Sequence, residues 1–191
     1  MRKVMKGIGI TAMATATFGC AGTADVPEKK TANIKVMEQP CFHIAYVEWK
    51  GNYEANPEVF DEVLSKLISW AAPKNLWDFP GDTKLILVYP DGPEVPIDQR
   101  RLRVAITVPE GTVAASPVMI SDIEGGRYAV GSFELTAEKF GAAWSEIYEW
   151  IYQNGFVPAE GLSYEIQKNV SHEHPEQLHF VDICVPLRGG A

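Results

Sequence analysis

The chain has 191 residues, of which 46% are apolar and 10% aromatic, enough to build the core of one domain or of two closely packed halves. Its 17 basic residues face 25 acidic ones, and the net charge of −8 argues against a nucleic-acid partner. An acidic protein of this kind favours cations instead. Three cysteines are too few for a disulfide scaffold.

The first 19 residues are typical of an export signal. Basic residues precede a short apolar run that cannot span a bilayer. Cys20 follows in a segment that resembles a bacterial lipoprotein processing box, although Thr17 and Phe18 depart from it. We expect cleavage before Cys20, with cuts after Ala16 or Ala24, or no export, as alternatives. The expected product is lipid-anchored through Cys20 on the periplasmic side of the envelope, with residues 20–33 as a flexible tether.

The rest of the chain, 34–191, is predicted to be one domain with halves at about 34–112 and 117–188. In the first half, strand character runs from Ile34 to Trp49 with a break at Pro40. Apolar residues at spacings of three and four then predict a helix from Pro57 to Pro73. Strands are predicted at Leu85–Tyr89 and Leu102–Val108.

The second half has the same predicted order. A strand from Val118 to Phe133 is interrupted by two glycines, and a helix follows with Thr136 as its N-cap and Asn154-Gly155 as its end. Strands at Leu162–Lys168 and Leu178–Pro186 complete it. The two halves therefore both predict a β-α-β-β order, which is an α+β fold with a duplicated unit.

Two hexapeptides support the duplication. VAITVP at 104–109 and VDICVP at 181–186 are identical at four of six positions. Period-2 alternation predicts strands whose valines and isoleucines face the core, so that Asp182 and Cys184 face the other side. If helices cover one face of the combined sheet, the other faces of the two halves meet at a concave seam, where ligands commonly bind.

Several motifs, taken in order, resemble the GyrI-like small-molecule-binding domain over about residues 34–187. They are YPDGPEVP at 89–96, IEGGRYAVG at 123–131, the tryptophan-rich stretch 144–155, Tyr164-Glu165, and DICVP at 182–186. This family includes the effector-binding module of bacterial multidrug-sensing regulators and standalone gyrase-inhibitor-like proteins. The resemblance implies two SHS2-like β-α-β-β halves about a pseudo-twofold axis. It also implies a groove between them that holds lipophilic cations among aromatic rings above an acidic residue.

Two departures bear on the ligand. Many members of the family have tyrosine where this chain has Gln167 and Cys184, so the resemblance implies a smaller or more polar ligand here. No helix-turn-helix pattern precedes the domain, so we expect no DNA-binding regulator within this chain.

An aromatic cage with a carboxylate suits an organic cation, because ring faces attract positive charge. We predict that six rings and two countercharges line the site: Tyr46, Trp49, Tyr89, Tyr128, Trp144, Tyr164, Glu165 and Asp182. For each ring, the alternative to a ligand-binding role is ordinary packing in the core. For each carboxylate, the alternative is a solvent-exposed position on the sheet. Trp144 and Trp150 lie six apart on one helix, so only one is expected to face the groove.

These residues leave three functions open. The favoured one is a standalone envelope protein that binds a small amphipathic or cationic molecule. The second is a hydrolase that uses Glu165 or Asp182 as general base, as the family's reported hydrolases of strained natural products imply. The third is a protein-binding inhibitor module.

No cofactor or metal site is predicted. His172, Glu173, His174 and His179 lie in a polar segment that reads as a solvated loop, and nothing singles out a haem ligand. Cys41 and Cys184 are left open as a disulfide or as two free thiols.

Overall fold

The computed structural model describes residues 33–189. The predicted signal, Cys20 and the tether up to residue 32 lie outside the described residues. No helix between residues 33 and 189 is long and apolar enough to cross a membrane.

The described chain forms eight strands and two helices. The strands are β1 (Asn33–Gln39), β2 (Phe42–Lys50), β3 (Leu85–Tyr89), β4 (Arg101–Thr107), β5 (Met119–Ile123), β6 (Gly126–Leu135), β7 (Ser163–Gln167) and β8 (His179–Pro186). The helices are α1 (Val59–Ala71) and α2 (Phe140–Gln153). The order strand, helix, strand, strand occurs twice, as β2-α1-β3-β4 and β6-α2-β7-β8. The predicted α+β class is confirmed, and the duplication of the halves stays a prediction.

Helix α2 begins later than predicted. Thr136 occupies the N-cap position, as predicted, with the extended backbone angles typical of that position, although its side chain makes no capping hydrogen bond. A short 3-10 turn, Ala137–Lys139, follows before the α-helix begins at Phe140. Such tighter turns are common at helix ends because they satisfy backbone groups that lack an α-helical partner. The predicted end at Gly155 holds, with φ of +73°, a conformation that costs glycine little.

All eight strands form one antiparallel sheet in the order β1-β6-β8-β7-β3-β4-β2-β5. Strands β1 and β2 are joined by only Pro40 and Cys41, yet they lie six places apart in this order. In a flat sheet six strand spacings cover roughly 29 Å. A two-residue link reaches roughly 11 Å. The sheet therefore curls strongly, with one convex face and one concave face.

The two helices pack on the convex face. Buried side chains of α1, such as Val63 and Leu67, pack against β2 and β4, and Ile147 and Ile151 of α2 pack against β6 and β8. Val181, Ile183 and Val185 lie in the core beneath α2, as their alternation predicts.

The concave face is filled by its own apolar core rather than by an open ligand seam. Its buried members are Phe42, Ile44, Tyr46, Ile86, Val88, Ala105, Ile123, Tyr128, Val130, Tyr164 and Cys184. Curling of the sheet brings these side chains together from both halves of the chain. The predicted seam on this face is therefore replaced by close packing.

Candidate functional site

The most unusual side chain of the described chain is Glu165, a carboxylate at the centre of the convex face. It lies in β7 between Leu87 of β3 and Ile183 of β8, with α1 and α2 packed on the strands to either side. Only 1% of Glu165 is exposed to solvent. Burial of a carboxylate is costly unless hydrogen bonds or a countercharge compensate for lost water.

Three side chains donate hydrogen bonds to this carboxylate. Tyr89 Oη and Trp144 Nε1 donate to Oε1 at 3.1 and 2.6 Å, and Gln167 Nε2 donates to Oε2 at 3.1 Å. The donors come from β3, α2 and β7 itself. Glu165 and Gln167 lie on the same face because side chains two apart in a strand point the same way.

All three donors are neutral. Between residues 33 and 189, no lysine, arginine or histidine forms an ion pair with Glu165. Burial raises the pKa of Glu165 to about 7, and the hydrogen bonds from Trp144, Tyr89 and Gln167 oppose that rise only in part. Above about pH 7 the site therefore holds a negative charge that is not paired with a cationic side chain of residues 33–189, and the nearby Arg100 guanidinium interacts with the Tyr53 hydroxyl instead.

Aromatic rings surround the carboxylate on the Oε1 side. The Tyr89 ring meets Trp144 edge to face at 5.4 Å and Tyr53 at 5.7 Å between centroids. Trp144 stacks on Tyr148 at 6.3 Å, and Tyr53 contacts Phe60 of α1 at 6.3 Å. The faces of aromatic rings are electron-rich, so this part of the protein combines several such rings with one buried carboxylate. We call Glu165 with Tyr53, Tyr89, Trp144 and Tyr148 the aromatic-carboxylate cluster.

The structure brings three of the eight predicted site residues together: Tyr89, Trp144 and Glu165. Trp144 faces the carboxylate, while Trp150 stacks on Phe156 at 5.8 Å. Trp49 is on the convex face and packs in the core around α1.

Tyr46, Tyr128 and Tyr164 lie in the concave core instead. The rings of Tyr128 and Tyr164 lie 5.4 Å apart there, and the Tyr128 hydroxyl donates to the Glu124 carbonyl oxygen at 2.9 Å. The Tyr164 hydroxyl is buried beside the Cys184 thiol, a weak hydrogen-bonding group, and has no stronger partner in the described chain. Strand alternation explains the separation, since Tyr164 and Glu165 are adjacent residues and must point to opposite faces.

Asp182, predicted to line the same site as Glu165, lies on the opposite face of the sheet. In the β7–β8 ladder, Glu165 pairs with Ile183, whereas Asp182 pairs with Ile166. Asp182 therefore lies on the concave side, where it forms an ion pair with Lys168 at 2.6 Å and accepts a hydrogen bond from Ser132 at 2.6 Å. Its charge is already compensated within the protein.

Sequence reasoning missed Tyr53 and Tyr148 and noted Gln167 only as a departure from a family pattern. Tyr148 lies four residues after Trp144, a spacing that puts two helical side chains next to each other. Tyr53 lies in the turn between β2 and α1, where no periodicity identifies its direction. The position of Gln167 two residues after Glu165 in one strand is the signal that links the two.

Two open depressions lie at the ends of the strands. One of about 380 Å³ is lined by Gln167, Phe42, Phe79, Lys84, Lys168 and Asp182, among others. The other, of about 550 Å³, is lined by Tyr128, Arg127, Glu124 and Glu160 together with glycines. The first approaches the aromatic-carboxylate cluster through Gln167, and neither is lined by Glu165 itself.

The cysteines and histidines do not gather into a site. Cys41 is exposed and Cys184 is buried, and both are free thiols. Within residues 33–189, no three His, Cys, Asp or Glu side chains are grouped so that they could hold a metal ion. The rings of His174 and His179 instead lie against Phe180 and Phe140.

A family model for the GyrI-like small molecule binding domain matches residues 32–188. The chain belongs to this family. The match includes β1 through β8 and so contains every residue of the aromatic-carboxylate cluster. It confirms the resemblance on which the sequence-based prediction of a small-molecule-binding domain rests.

Among curated proteins, DNA gyrase inhibitor 2 of Dickeya dadantii (strain 3937) is 33% identical over 116 residues, which are 59% of this chain and 69% of that protein. Among solved structures, the C-terminal domain of EcmrR superposes with a TM-score of 0.63 at 11% identity, covering 83% of this chain and 99% of that domain. In the EcmrR–DNA complex, the match spans 59% of the EcmrR chain. The structure of SAV2435 bound to tetraphenylphosphonium superposes with a TM-score of 0.55 at 11% identity, and the match covers 82% of this chain and 94% of SAV2435. At sequence identities of 10–11%, this structural similarity shows a shared fold.

Proposed function

We propose that the protein binds a small cationic or amphipathic organic molecule at the aromatic-carboxylate cluster, with Glu165 as the countercharge. One observation carries the proposal: a carboxylate that is 1% exposed and has neutral donors but no ion-pair partner among the described residues. A bound cation supplies what the folded chain lacks. The ligand in this proposal lies on the convex side, at the cluster between α1 and α2, rather than at the seam expected on the helix-free face.

The rings add to this attraction. Each ring face that meets the cation contributes roughly 0.5–2 kcal/mol, more when water is excluded. The Tyr89 ring already contacts both Tyr53 and Trp144, so little conformational entropy is lost when these rings close around a ligand. The tetraphenylphosphonium carried by SAV2435, a protein of the same fold, supports the same ligand class for this chain.

The test is calorimetric titration of the full chain with two matched pairs of ligands. One pair is tetraphenylphosphonium and neutral triphenylphosphine oxide; the other is 2-(2-naphthyl)ethylammonium and 2-(2-naphthyl)ethanol. At pH 8 at least one cation is expected to bind tenfold or more tightly than its neutral partner, and Glu165→Gln is expected to remove that preference. Equal binding of cations and neutral partners by the wild-type protein would sink the proposal.

A hydrolase is the second candidate, and the pKa of Glu165 favours it. A carboxylate with a pKa of about 7 is suited to accept a proton from water near neutral pH. The distinguishing result is consumption of a bound neutral, strained substrate by the wild-type protein. A Glu165→Gln variant that still binds the substrate but no longer converts it would then assign the general base.

Inhibition of a protein partner is the third candidate. It rests on the 33% identity to a DNA gyrase inhibitor over 116 residues. The direct assay adds the purified chain to DNA gyrase and measures supercoiling of relaxed plasmid. Full supercoiling activity at a large excess of the chain would remove this candidate.

We also propose export and lipid attachment at Cys20, on the basic, apolar and cysteine-containing order of residues 2–20. Mass spectrometry of the membrane fraction is expected to find a lipidated N-terminal Cys20. Cys20→Ser is expected to release the protein from that fraction, and an unprocessed Met1 in the cytosol would contradict export.

A further inference from the structure

The two oxygens of the Glu165 carboxylate have unequal surroundings. Oε1 accepts two hydrogen bonds, from Tyr89 and Trp144, while Oε2 accepts one, from Gln167. An ionised carboxylate offers about four lone-pair sites in all. By this count, Tyr89 and Trp144 fill both sites of Oε1, and Gln167 fills one of the two sites of Oε2.

A second acceptor lies beside that vacant site. Gln167 uses its Nε2 to reach Glu165, and its carbonyl oxygen accepts no hydrogen bond from residues 33–189. Gln167 is 8% exposed and lines the 380 Å³ depression, so this amide is the part of the carboxylate's surroundings that borders open space. Oε2 and the Gln167 carbonyl oxygen are thus two acceptors of neighbouring side chains, of which Gln167 borders the depression that can hold a ligand.

Paired acceptors discriminate between kinds of cation. A quaternary ammonium or phosphonium ion has no N–H to donate, so its binding would leave both acceptors dry and unpaired, which is costly. A protonated amine donates to both and keeps its charge beside the carboxylate. The rings attract either ion through cation–π contacts and so do not provide this selectivity. Sites built to hydrogen-bond a ligand group reject analogues that lack it by large factors.

We infer that the ligand's head group is a protonated amine with two or more N–H donors, and that Gln167 sets its preference over quaternary cations. This inference rests on the proposed function, since it assigns the head-group chemistry of the same site. Gln167 is a specificity-determining residue in this account, and Glu165 supplies the charge.

The test compares 2-(2-naphthyl)ethylammonium with its N,N,N-trimethyl derivative by calorimetry on the full chain at pH 8. Wild-type protein is expected to bind the primary amine at least tenfold more tightly. In Gln167→Met, which keeps the length of the side chain but has no amide, the ratio is expected to fall to within threefold of unity. Thermal unfolding monitors folding of each variant, and Gln167→Asn serves as a second variant that withdraws the amide from Oε2.

The outcomes separate the two proposals. Equal wild-type affinity for the two cations, with Glu165→Gln weakening both, overturns this inference and leaves the proposed function standing. A ratio that stays above tenfold in Gln167→Met and Gln167→Asn also overturns it. No binding of either naphthylethyl cation by wild-type protein overturns this inference alone if tetraphenylphosphonium still binds in a Glu165-dependent way. Unchanged binding of every cation by Glu165→Gln overturns both proposals.

Discussion

Glu165 and Asp182 lie one ladder position apart on neighbouring strands, yet the protein treats their charges in opposite ways. Glu165 is on the convex face, almost fully buried and held by neutral donors. Asp182 is on the concave side, where its carboxylate meets the Lys168 ammonium group, and its side chain is 19% exposed. The comparison teaches that the same two strands bury one carboxylate among neutral donors and pair its neighbour with a lysine, so only Glu165 is left to be neutralised by a cation from outside the chain.

The two faces of the sheet differ in the same way. The concave face has a closed apolar core with the Tyr164 hydroxyl buried inside it. The convex face divides into one core under each helix, with the aromatic-carboxylate cluster between them. On the concave side a ligand would have to displace this closed core, whereas on the convex side the cluster lies between the two cores.

The largest effect on stability is expected from truncating a buried side chain of the concave core. Ile86→Ala is expected to lower the free energy of unfolding by about 2–5 kcal/mol, as much as Ile183→Ala on the convex face, because both side chains are fully buried. Urea unfolding measures both losses, with the exposed Val113→Ala as control. A loss below about 1 kcal/mol for Ile86→Ala would mean that the concave face is loosely packed and can open for a ligand.

The next effect is a pH dependence of stability that belongs to Glu165. Because the pKa of Glu165 is raised in the folded state to about 7, from an ordinary value of 4.5, the fold binds a proton more tightly than the unfolded chain. Stability from this group is complete below pH 4.5 and is lost as the pH rises through 7. The wild-type free energy of unfolding is therefore expected to fall relative to Glu165→Gln by on the order of 3 kcal/mol between pH 4.5 and 8.

Urea unfolding of both proteins across this pH range gives that difference directly. Asp182→Asn is the matched control, and its difference from wild type is expected to lack a step centred near pH 7. A constant difference between wild type and Glu165→Gln would show that the Glu165 carboxyl group titrates normally.

A smaller effect distinguishes two tyrosines, one on each face. At pH 8, Tyr89→Phe removes a donor to the ionised Glu165 carboxylate and is expected to cost about 1–2 kcal/mol of stability and to raise the pKa of Glu165 further. Tyr164→Phe removes a buried hydroxyl whose partner among the described residues is the weakly hydrogen-bonding Cys184 thiol, and is expected to cost less than about 1 kcal/mol. Thermal and urea unfolding compare them, and equal costs would erase this distinction between the faces.

The smallest effect is expected at the compensated carboxylate. Asp182→Asn breaks a partly exposed ion pair with Lys168 and leaves an amide oxygen able to accept from Ser132. Its cost in urea unfolding is expected to stay below about 1 kcal/mol, which is typical of exposed pairs. A cost of several kcal/mol would show that this ion pair stabilises the concave core.

The sequence predicted the strands and helices well because their signals are local. Period-2 alternation assigned Val181, Ile183 and Val185 to the core, and the stripe from Phe60 to Ala71 indicated α1. The site depends on non-local facts. Ladder register puts Ile183, not Asp182, opposite Glu165, and no pattern in either strand contains that register.

The rings show the same limit. Trp144 and Trp150 are two tryptophans of the same helix, and the sequence does not distinguish them. Only the placement of α2 on the sheet shows that Trp144 is the one that reaches Glu165. Tyr53 belongs to a turn whose direction depends on the contacts it makes with Tyr89 and Phe60. Tyr46, Tyr128 and Tyr164 were predicted as site rings because their residue type suits a cage, but alternation carries them into the concave core.

The most direct test of the central claim measures cation affinity in Glu165→Gln and Asp182→Asn side by side. Calorimetry at pH 8 with 2-(2-naphthyl)ethylammonium and its neutral alcohol gives the preference for charge in each protein. The account predicts that Glu165→Gln loses a preference of tenfold or more while Asp182→Asn keeps it. A preference that survives in Glu165→Gln and disappears in Asp182→Asn would contradict the account and move the site to the concave side.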